Sequence, residues 1–506
     1  MIIAKILFLL EMSPANPQFL LKANASSFII RSIINVRIVK CKMKGIEMRL
    51  SSKIRILFLT LLLLLPLGSW EQAKGQTGFE LLLYLPFQVN DATISGDGRF
   101  FAVINATHLS YYSVEDRSLL WWNVSQAPGL GVKLSYNGES VVVGYGEISG
   151  VMDGGVSYFD GARSRRGGDQ APKWTHLYQF KTSGSVDGHS MDISDDGNYV
   201  AVAGTGDAVY YYADCKSKIG VKSGDVDPHW NWKKKMVNGD LGCLDMTPNG
   251  RYFVAGGYNW SGTADFRYVG FFDGQATYGF WNLWNFSDVS GQVYDIAISD
   301  DGFGVFVGTR TFSPDTYGVL YFGDSINLRG RVTSAQWWYT ETGAELTHVC
   351  INSLGSKVAS GSRWLLTLQF WSNSRSITNS QTPVWSKDYV VNDVAMSDDG
   401  NSIAALTWEE GNNFLRVFNA EGEEISFCPL DNAGLVIAMS RDGKVIAATT
   451  QSINSVYLYK FPDQKPVKPV GGDVFQIDKL AMLTPYLLVV LAIVTASSIL
   501  IKKRKH

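Results

Sequence analysis

The sequence predicts an all-β fold, an eight-bladed β-propeller of four-stranded blades, and three observations carry that prediction. A motif of the form apolar-x-apolar-[Ser/Thr]-x-[Asp/Asn]-Gly-x-x-apolar-x-apolar recurs eight times, "MDISDDGNYVAVAG" (191–204) being a clear copy. Its corner glycines are Gly98, Gly138, Gly197, Gly250, Gly302, Gly355, Gly400 and Gly443, spaced 40 to 59 residues apart. That period has room for about four strands per unit, the signature of a propeller blade. Composition agrees: 13% of residues are aromatic, and 50 are glycine against 15 proline. Such a chain is rich in turn-formers and too apolar to stay disordered.

Each strand of the unit has its own signal. Asp-Gly or Asn-Gly between two alternating runs marks a hairpin, because glycine accepts a positive φ without steric cost. The runs before and after it are therefore the first and second strands. The third reads "VYYYA", "YVGFFD", "VLYFG", "TLQFWS", "LRVFNA" or "VYLYKF". The fourth is marked by tryptophan, as in "LLWWNVS", "PKWTHLYQF", "YGFWNLWNFS", "SAQWWYT" and "TPVWSKDY". Ten of the 15 tryptophans fall in these outer strands, so a repeated packing role between blades is expected. Unit eight lacks a fourth strand of its own. "FELLLYLPF" (79–87), ahead of unit one, is expected to supply it and to close the ring, which leaves no free sheet edge. The propeller then spans residues 77–462.

The flanks set an expected topology. Residues 480–501, "LAMLTPYLLVVLAIVTASSILI", are 22 residues without a charge, long enough for a transmembrane helix. The basic tail "KKRKH" (502–506) follows and belongs on the cytoplasmic side. Residues 48–75 have a basic start, an apolar run and small residues after it, the pattern of a signal peptide. Residues 1–47 lie ahead of that signal and are expected to be a non-native or mis-assigned extension, with translation starting at Met43 or Met48. Residues 463–479 form the linker to the helix, whose proline and glycine favour an extended tether. The expected location is the cell membrane, single-pass, with the propeller outside. Sequons at Asn105, Asn123, Asn259 and Asn285 suit an exported glycoprotein. Between residue 55 and the tail stand 31 basic and 45 acidic residues, a net charge of −14. That acidity argues against a nucleic-acid partner, which would need clustered Lys and Arg.

The run "TPVWSKDYVVNDVAMSDDGNSIAALTWEEGNNFLRVFNA" resembles the repeats of exported archaeal and bacterial β-propeller proteins of the tryptophan–aspartate-like and pyrroloquinoline-quinone-enzyme-like kind. The resemblance covers roughly residues 77–462. It implies the fold and, with the glycosylated body and C-terminal anchor, a cell-surface protein of archaeal type. It implies little about activity, because this fold hosts unrelated tasks.

Motifs for catalysis are sparse. Asp192, Ser194 and Asp196 match the first half of a calcium loop, but position twelve is Ala203 rather than Glu, so a hairpin turn is expected. The adjacent Cys-Cys pair usual over a quinone cofactor is missing; Cys215, Cys243, Cys350 and Cys428 are far apart and expected to be mostly buried thiols, with one bridge at best. No HExxH or GxSxG pattern occurs. The expectation is a non-enzymatic scaffold with no cofactor and no metal site, binding a protein or glycan partner. Alternatives are an exported glycan hydrolase or quinoprotein-like oxidoreductase, and an envelope-protein assembly or sensory factor. Candidate binding residues fall in two groups. Asp91, Asp295, His348 and Asp393 stand four before the Ser/Thr column and should gather at one channel mouth, where their side chains either bind or bond nearby backbone amides. Tyr258, Trp260, Tyr317 and Trp408 stand in what read as long loops between second and third strands, opening on the same face.

Overall fold

The computed structural model describes residues 78–461, apart from 126, 147–153, 179–189, 204–207, 219–229, 234–238, 260–266, 277–281, 288–291, 311–316, 341–346, 364–365 and 452–454. The expected extension, signal peptide, linker, membrane helix and tail lie outside the described residues. Among the described residues no helix is long and apolar enough to cross a membrane.

The described chain forms eight sheets, one per repeat, each built on four antiparallel strands. The innermost strands are Asp91–Ile94, Gly129–Leu134, Met191–Ile193, Gly239–Met246, Gln292–Ile298, Thr347–Ile351, Val390–Met396 and Gly434–Met439. Strands then follow outward in chain order. Blade 8 is the exception: after Val456–Lys460 its outer position is held by Glu80–Leu85, antiparallel, with Glu80 opposite Lys460 and Leu85 opposite Val456.

The recurring motif builds the corner of each blade the same way. The glycine N–H donates to the carbonyl three residues back, as from Gly197 to Ser194 at 2.8 Å. The Ser194 hydroxyl donates to Asp196 Oδ1 at 2.6 Å and accepts the Tyr199 N–H at 2.9 Å. Asp196 is thus part of a hairpin, as its turn chemistry predicts. All eight corner glycines have φ between 64° and 75°.

Two kinds of aromatic bond tie one blade to the next. The outer-strand tryptophan stacks on the third strand of its own blade and reaches the following one. Trp121 lies 5.1 Å from Tyr111 and 5.4 Å from Phe159; Trp284 lies 5.5 Å from Phe271 and 5.1 Å from Phe322. Its indole N–H donates to a backbone carbonyl of the next blade: Trp121 to Ala162, Trp174 to Cys215, Trp284 to Ser325, Trp337 to Ser374 and Trp385 to Ala420, at 2.8–3.1 Å. This is the wedge role the tryptophan pattern predicts. Third-strand tyrosines do the same to the corner glycines. Tyr111, Tyr158, Tyr211 and Tyr321 donate to the carbonyls of Gly138, Gly197, Gly250 and Gly355 at 2.6–2.7 Å. A buried phenol or indole needs such a partner.

A belt of backbone hydrogen bonds runs round the corner end of the channel. Donor and acceptor lie on successive blades: Asp97 to Tyr136, Tyr136 to Asp195, Asp195 to Pro248, Asp300 to Ser353, Ser353 to Asp398, Asp398 to Arg441 and Arg441 to Gly96, at 2.8–3.1 Å. The last of these joins blade 8 to blade 1. The belt is missing only between blades 4 and 5, where Pro248 has no N–H to give.

Cys215, Cys243, Cys350 and Cys428 are free thiols, and three of the four are buried. One expectation needs correcting. "TWEEGNNF" around Trp408 is not a long loop. Strands Ile403–Glu409 and Asn412–Phe418 are joined by two residues, Glu410 at φ 48° and Gly411 at φ 88°, a tight hairpin turn. The Glu, Asn and Asn flanking it conceal the strands because they show no apolar alternation.

A methyl group at Gly197 would strain its left-handed backbone and come within 2.2 Å of Ser140 Oγ on the preceding blade. Gly197→Ala should destabilise the propeller by roughly 2–4 kcal/mol, combining the αL cost with overpacking. Urea unfolding read by tryptophan fluorescence checks this; an unchanged midpoint would remove the corner glycines from the account of stability.

Candidate functional site

The channel is lined by side chains from the innermost strands, and their identity follows from the strand period. In each repeat the residue four before the Ser/Thr column and the residue two before it point the same way. Asp91, Asp295, His348 and Asp393 come from the first position, at the end where second strands turn into third strands. Lys133, Asp192 and Asp245 come from the second, one step deeper. The polar x of "VKLS", "MDIS" and "LDMT" is the signal for these three, which the search for the first column passes over.

The structure brings the predicted quartet together. His348 Nδ1 lies 3.4 Å from Asp393 Oδ1 and 3.7 Å from Asp295 Oδ2. The Tyr294 ring meets His348 edge-on at 5.1 Å. Asp91, Lys133, Asp295 and Asp393 line one cavity of about 270 Å³.

Most of these carboxylates clamp two blades together. Asp91 accepts the N–H of Ala92 at 2.8 Å through Oδ1 and that of Val132, on blade 2, at 2.8 Å through Oδ2. Asp245 does so with Met246 and Ile298, Asp295 with Ile296 and Val349, and Asp393 with Val394 and Ile437, all at 2.8–3.0 Å. Asp192 reaches the Met246 N–H of blade 4 at 3.1 Å. The innermost strands thus receive charge-assisted bonds across the blade boundary, roughly twice as strong as neutral ones.

Crowding so many acids in a narrow channel shifts their protonation. Burial pushes Asp245 well above the usual carboxylate range, and the neighbouring Asp192 adds to it. Burial also raises Asp192, less so because Lys133 opposes it. The two carboxyls hydrogen-bond to each other, which raises Asp245 further and lowers Asp192. Burial pulls Lys133 down, but Asp192, Asp91, Asp245 and Asp295 outweigh it and the ammonium is held above its ordinary value. His348 behaves alike: burial lowers it, yet the bond to Asp295 and the charges of Asp393 and Asp295 raise it overall.

The opposite mouth, at the corners, carries a second cluster that the sequence search did not find. Arg441 Nη2 lies 2.6 Å from Asp195 Oδ1, and Nη1 lies 3.5 Å from Asp300 Oδ2 and 3.9 Å from Asp398 Oδ2. Its guanidinium also sits 5.3 Å from the Tyr136 ring centre. One arginine of blade 8 thereby touches blades 2, 3, 5 and 7 at that mouth. Partial burial raises Asp195 and Asp398 from 3.8 to about 6, with Arg441 opposing the shift.

The aromatic candidates fare differently. Trp408 stands next to last on the second strand of blade 7, opposite Val390, at the channel mouth of the quartet, and is 44% exposed. Tyr258 and Tyr317 lie on strands Tyr252–Asn259 and Tyr317–Phe322, but their side chains, like Trp260 entirely, lie outside the described residues. Among the sequons, Asn105 begins the turn between second and third strands of blade 1 and accepts the N–H groups of Thr107 and His108. Asn123 is buried on the outer strand of that blade, with Nδ2 donating to Asp169 Oδ1 at 3.1 Å. Asn285 is part-buried on strand Asn282–Phe286, and the Asn259 side chain lies outside the described residues.

No protein-family signature matches this sequence, and no curated protein does. Solved structures match in shape. The C-terminal WD40 domain of Sif2 superposes with a TM-score of 0.55 at 10% identity, covering 76% of this chain and 98% of that one. The Dos1 propeller gives 0.52 at 10% identity, over 76% and 96%. BamB from Moraxella catarrhalis gives 0.51 at 13% identity, over 76% and 98%. At such identities the likeness establishes the fold: the chain is a β-propeller repeat protein.

A histidine held positive by neighbouring carboxylates stabilises the fold below its ordinary pKa, near 6.5, and that contribution is lost as pH rises through the raised value. His348→Gln should therefore cost more stability at pH 6 than at pH 9. Thermal melts of both proteins across that range check it, with an equal cost at both ends counting against the pairing.

Proposed function

We propose that this protein is a membrane-anchored surface propeller of the exported archaeal and bacterial kind. It binds a protein or glycan partner on the face where second strands turn into third strands, and it is not an enzyme. The observation that carries the non-catalytic reading is the use made of the channel carboxylates. Asp91, Asp245, Asp295 and Asp393 each spend both oxygens on backbone amides of two blades. They are fasteners, and amide donors on both oxygens make a carboxylate a weaker general base than a free one.

Binding is then left to the loop face. Trp408 stands exposed there beside the quartet, and the chain invests its longest second-to-third connections, including Trp260, on the same side. Exposed aromatic residues on a rigid frame suit a protein or sugar partner. Anchoring rests on the uncharged run 480–501 and the basic tail, and export on the signal pattern at 48–75 and the sequons. In this reading the strand Glu80–Leu85 is the clasp that completes the ring. Attachment to a membrane also raises the effective concentration of weak contacts.

Proximity labelling from intact cells, with the label on the exported body, tests the reading. One or two envelope proteins should be recovered, and Trp408→Ala combined with trimming of the loop at Trp260 should lose them. Removing residues 480–506 should release a folded, soluble propeller. Cytoplasmic neighbours, or a truncated protein that aggregates, would overturn the topology.

A further inference from the structure

Three of the eight sheets carry a fifth strand. Gly167–Asp169 lies parallel to the outer strand of blade 1, Gly330–Arg331 to that of blade 4 and Asn379–Ser380 to that of blade 5. Each added strand belongs to the connection between third and outer strands of the following blade. The register is the same every time: the strand begins opposite the outer tryptophan, Trp121, Trp284 or Trp337. So are the backbone groups. The N–H groups of Gln170, Val332 and Gln381 donate to the carbonyls of Trp122, Asn285 and Trp338 at 2.8–2.9 Å, and Asn379 donates to Gln336 at 3.0 Å.

Blade 6 has the matching tryptophan, Trp385, but no fifth strand; Trp385–Asp388 is the edge of a four-stranded sheet. The cause is a short connection. Blade 7 joins its third and outer strands with the five residues Asn419–Glu423, where blades 2, 5 and 6 use 14, 14 and 12. Five residues closed into a turn by the Gly422 N–H to Asn419 bond do not reach along the neighbouring edge. The carbonyls of Val384 and Ser386, the counterparts of Gln336 and Trp338, therefore face no added strand among the described residues. Val384 is 60% exposed.

The surroundings select charge. The short turn holds Glu421 and Glu423 exposed beside this edge, and Asp388 is exposed on the strand itself. Among the described residues none of the three forms an ion pair. Two of the three strands with which the chain covers its own edges are flanked by arginine: Arg165 and Arg166 precede Gly167, while Arg329 and Arg331 bracket Gly330.

We propose that the outer edge of Trp385–Asp388 docks an extended, basic segment of a partner protein, which adds to blade 6 as a parallel fifth strand. Strand addition draws affinity from main-chain bonds and specificity from the flanking side chains. A strand of two or three residues is a small interface, so the contact is weak and serves a partner held nearby by other means. It lies on the rim of the ring and is independent of the loop-face reading.

The probe is a fluorescein-labelled peptide copying residues 325–334, SINLRGRVTS, added to the purified full chain and followed by anisotropy. Saturable binding is expected. N-methylation of the peptide nitrogen matching Val332 should weaken it about fivefold, the worth of one net hydrogen bond. The double variant Glu421→Lys, Glu423→Lys should weaken it further while circular dichroism stays unchanged. Replacing Asn419–Glu423 with residues 373–384, to cover the edge, should abolish it; if that graft does not fold, the N-methylated peptide on the unaltered protein decides. No saturable binding up to millimolar peptide, or binding indifferent to both N-methylation and charge reversal, overturns the proposal. Self-association of the chain that disappears in the charge-reversed variant would make a second copy the occupant, and overturns it as well.

Discussion

Seven of the eight blades pass a corner N–H to a carbonyl of the next, and the circle of these bonds is the constraint on which the rest of the molecule depends. A single four-stranded sheet of this size has two apolar faces and no second layer of its own. It becomes stable only by lying against neighbours on both sides. Backbone bonds fix how closely the corners approach, and the corner glycines permit that approach because a side chain there would collide with the preceding blade. The outer tryptophans and third-strand tyrosines then meet their carbonyls at a separation already set.

The carboxylate clamps and the backbone belt complement each other. Clamps cross the junctions after blades 1, 3, 4, 5 and 7. The belt crosses every junction except that between blades 4 and 5. Wherever one device is missing the other is present: Asp245 bridges the gap at Pro248, and the belt crosses the junctions from blade 2 to 3, 6 to 7 and 8 to 1, where no clamp stands. Blades 2 and 6 place Lys133 and His348 where others place acids, and so supply positive charge to a channel that would otherwise repel itself. Architecture draws on these channel residues, and the proposed binding sites accordingly lie elsewhere, on the loop face and the rim.

Much of this was legible in the sequence. Asp-Gly corners at a regular period, alternating strands and tryptophan in the outer strands specify blade number and strand order, because each reports a local steric or burial requirement. The channel quartet was legible too, since a fixed offset from the Ser/Thr column fixes which way a side chain points. Lys133, Asp192 and Asp245 were available from the same rule, one pleat further along. Arg441 was not. It occupies an ordinary turn position in "SRDG", and only closure of the circle brings Asp195, from a blade 246 residues away, within reach. The belt has no side-chain signature at all. Trp408 was misplaced for the opposite reason: polar residues on both sides of a two-residue turn look like a loop when no apolar alternation marks the strands.

Pro248 gives the circle a seam. A ring in which every link is equal has no preferred place to come apart, so strain applied anywhere is shared by all eight joints. One absent link ends that equivalence. At the corner end, blades 4 and 5 lack a belt bond, and the joint is held instead by the Asp245 clamp deeper in the channel, by the apolar core the two blades share, and by the Trp284 bond and the added strand Gly330–Arg331 at the rim. An otherwise circular molecule thereby acquires a direction: the joint without a belt bond falls at Pro248, far along the chain from the Arg441 corner whose N–H completes the circle.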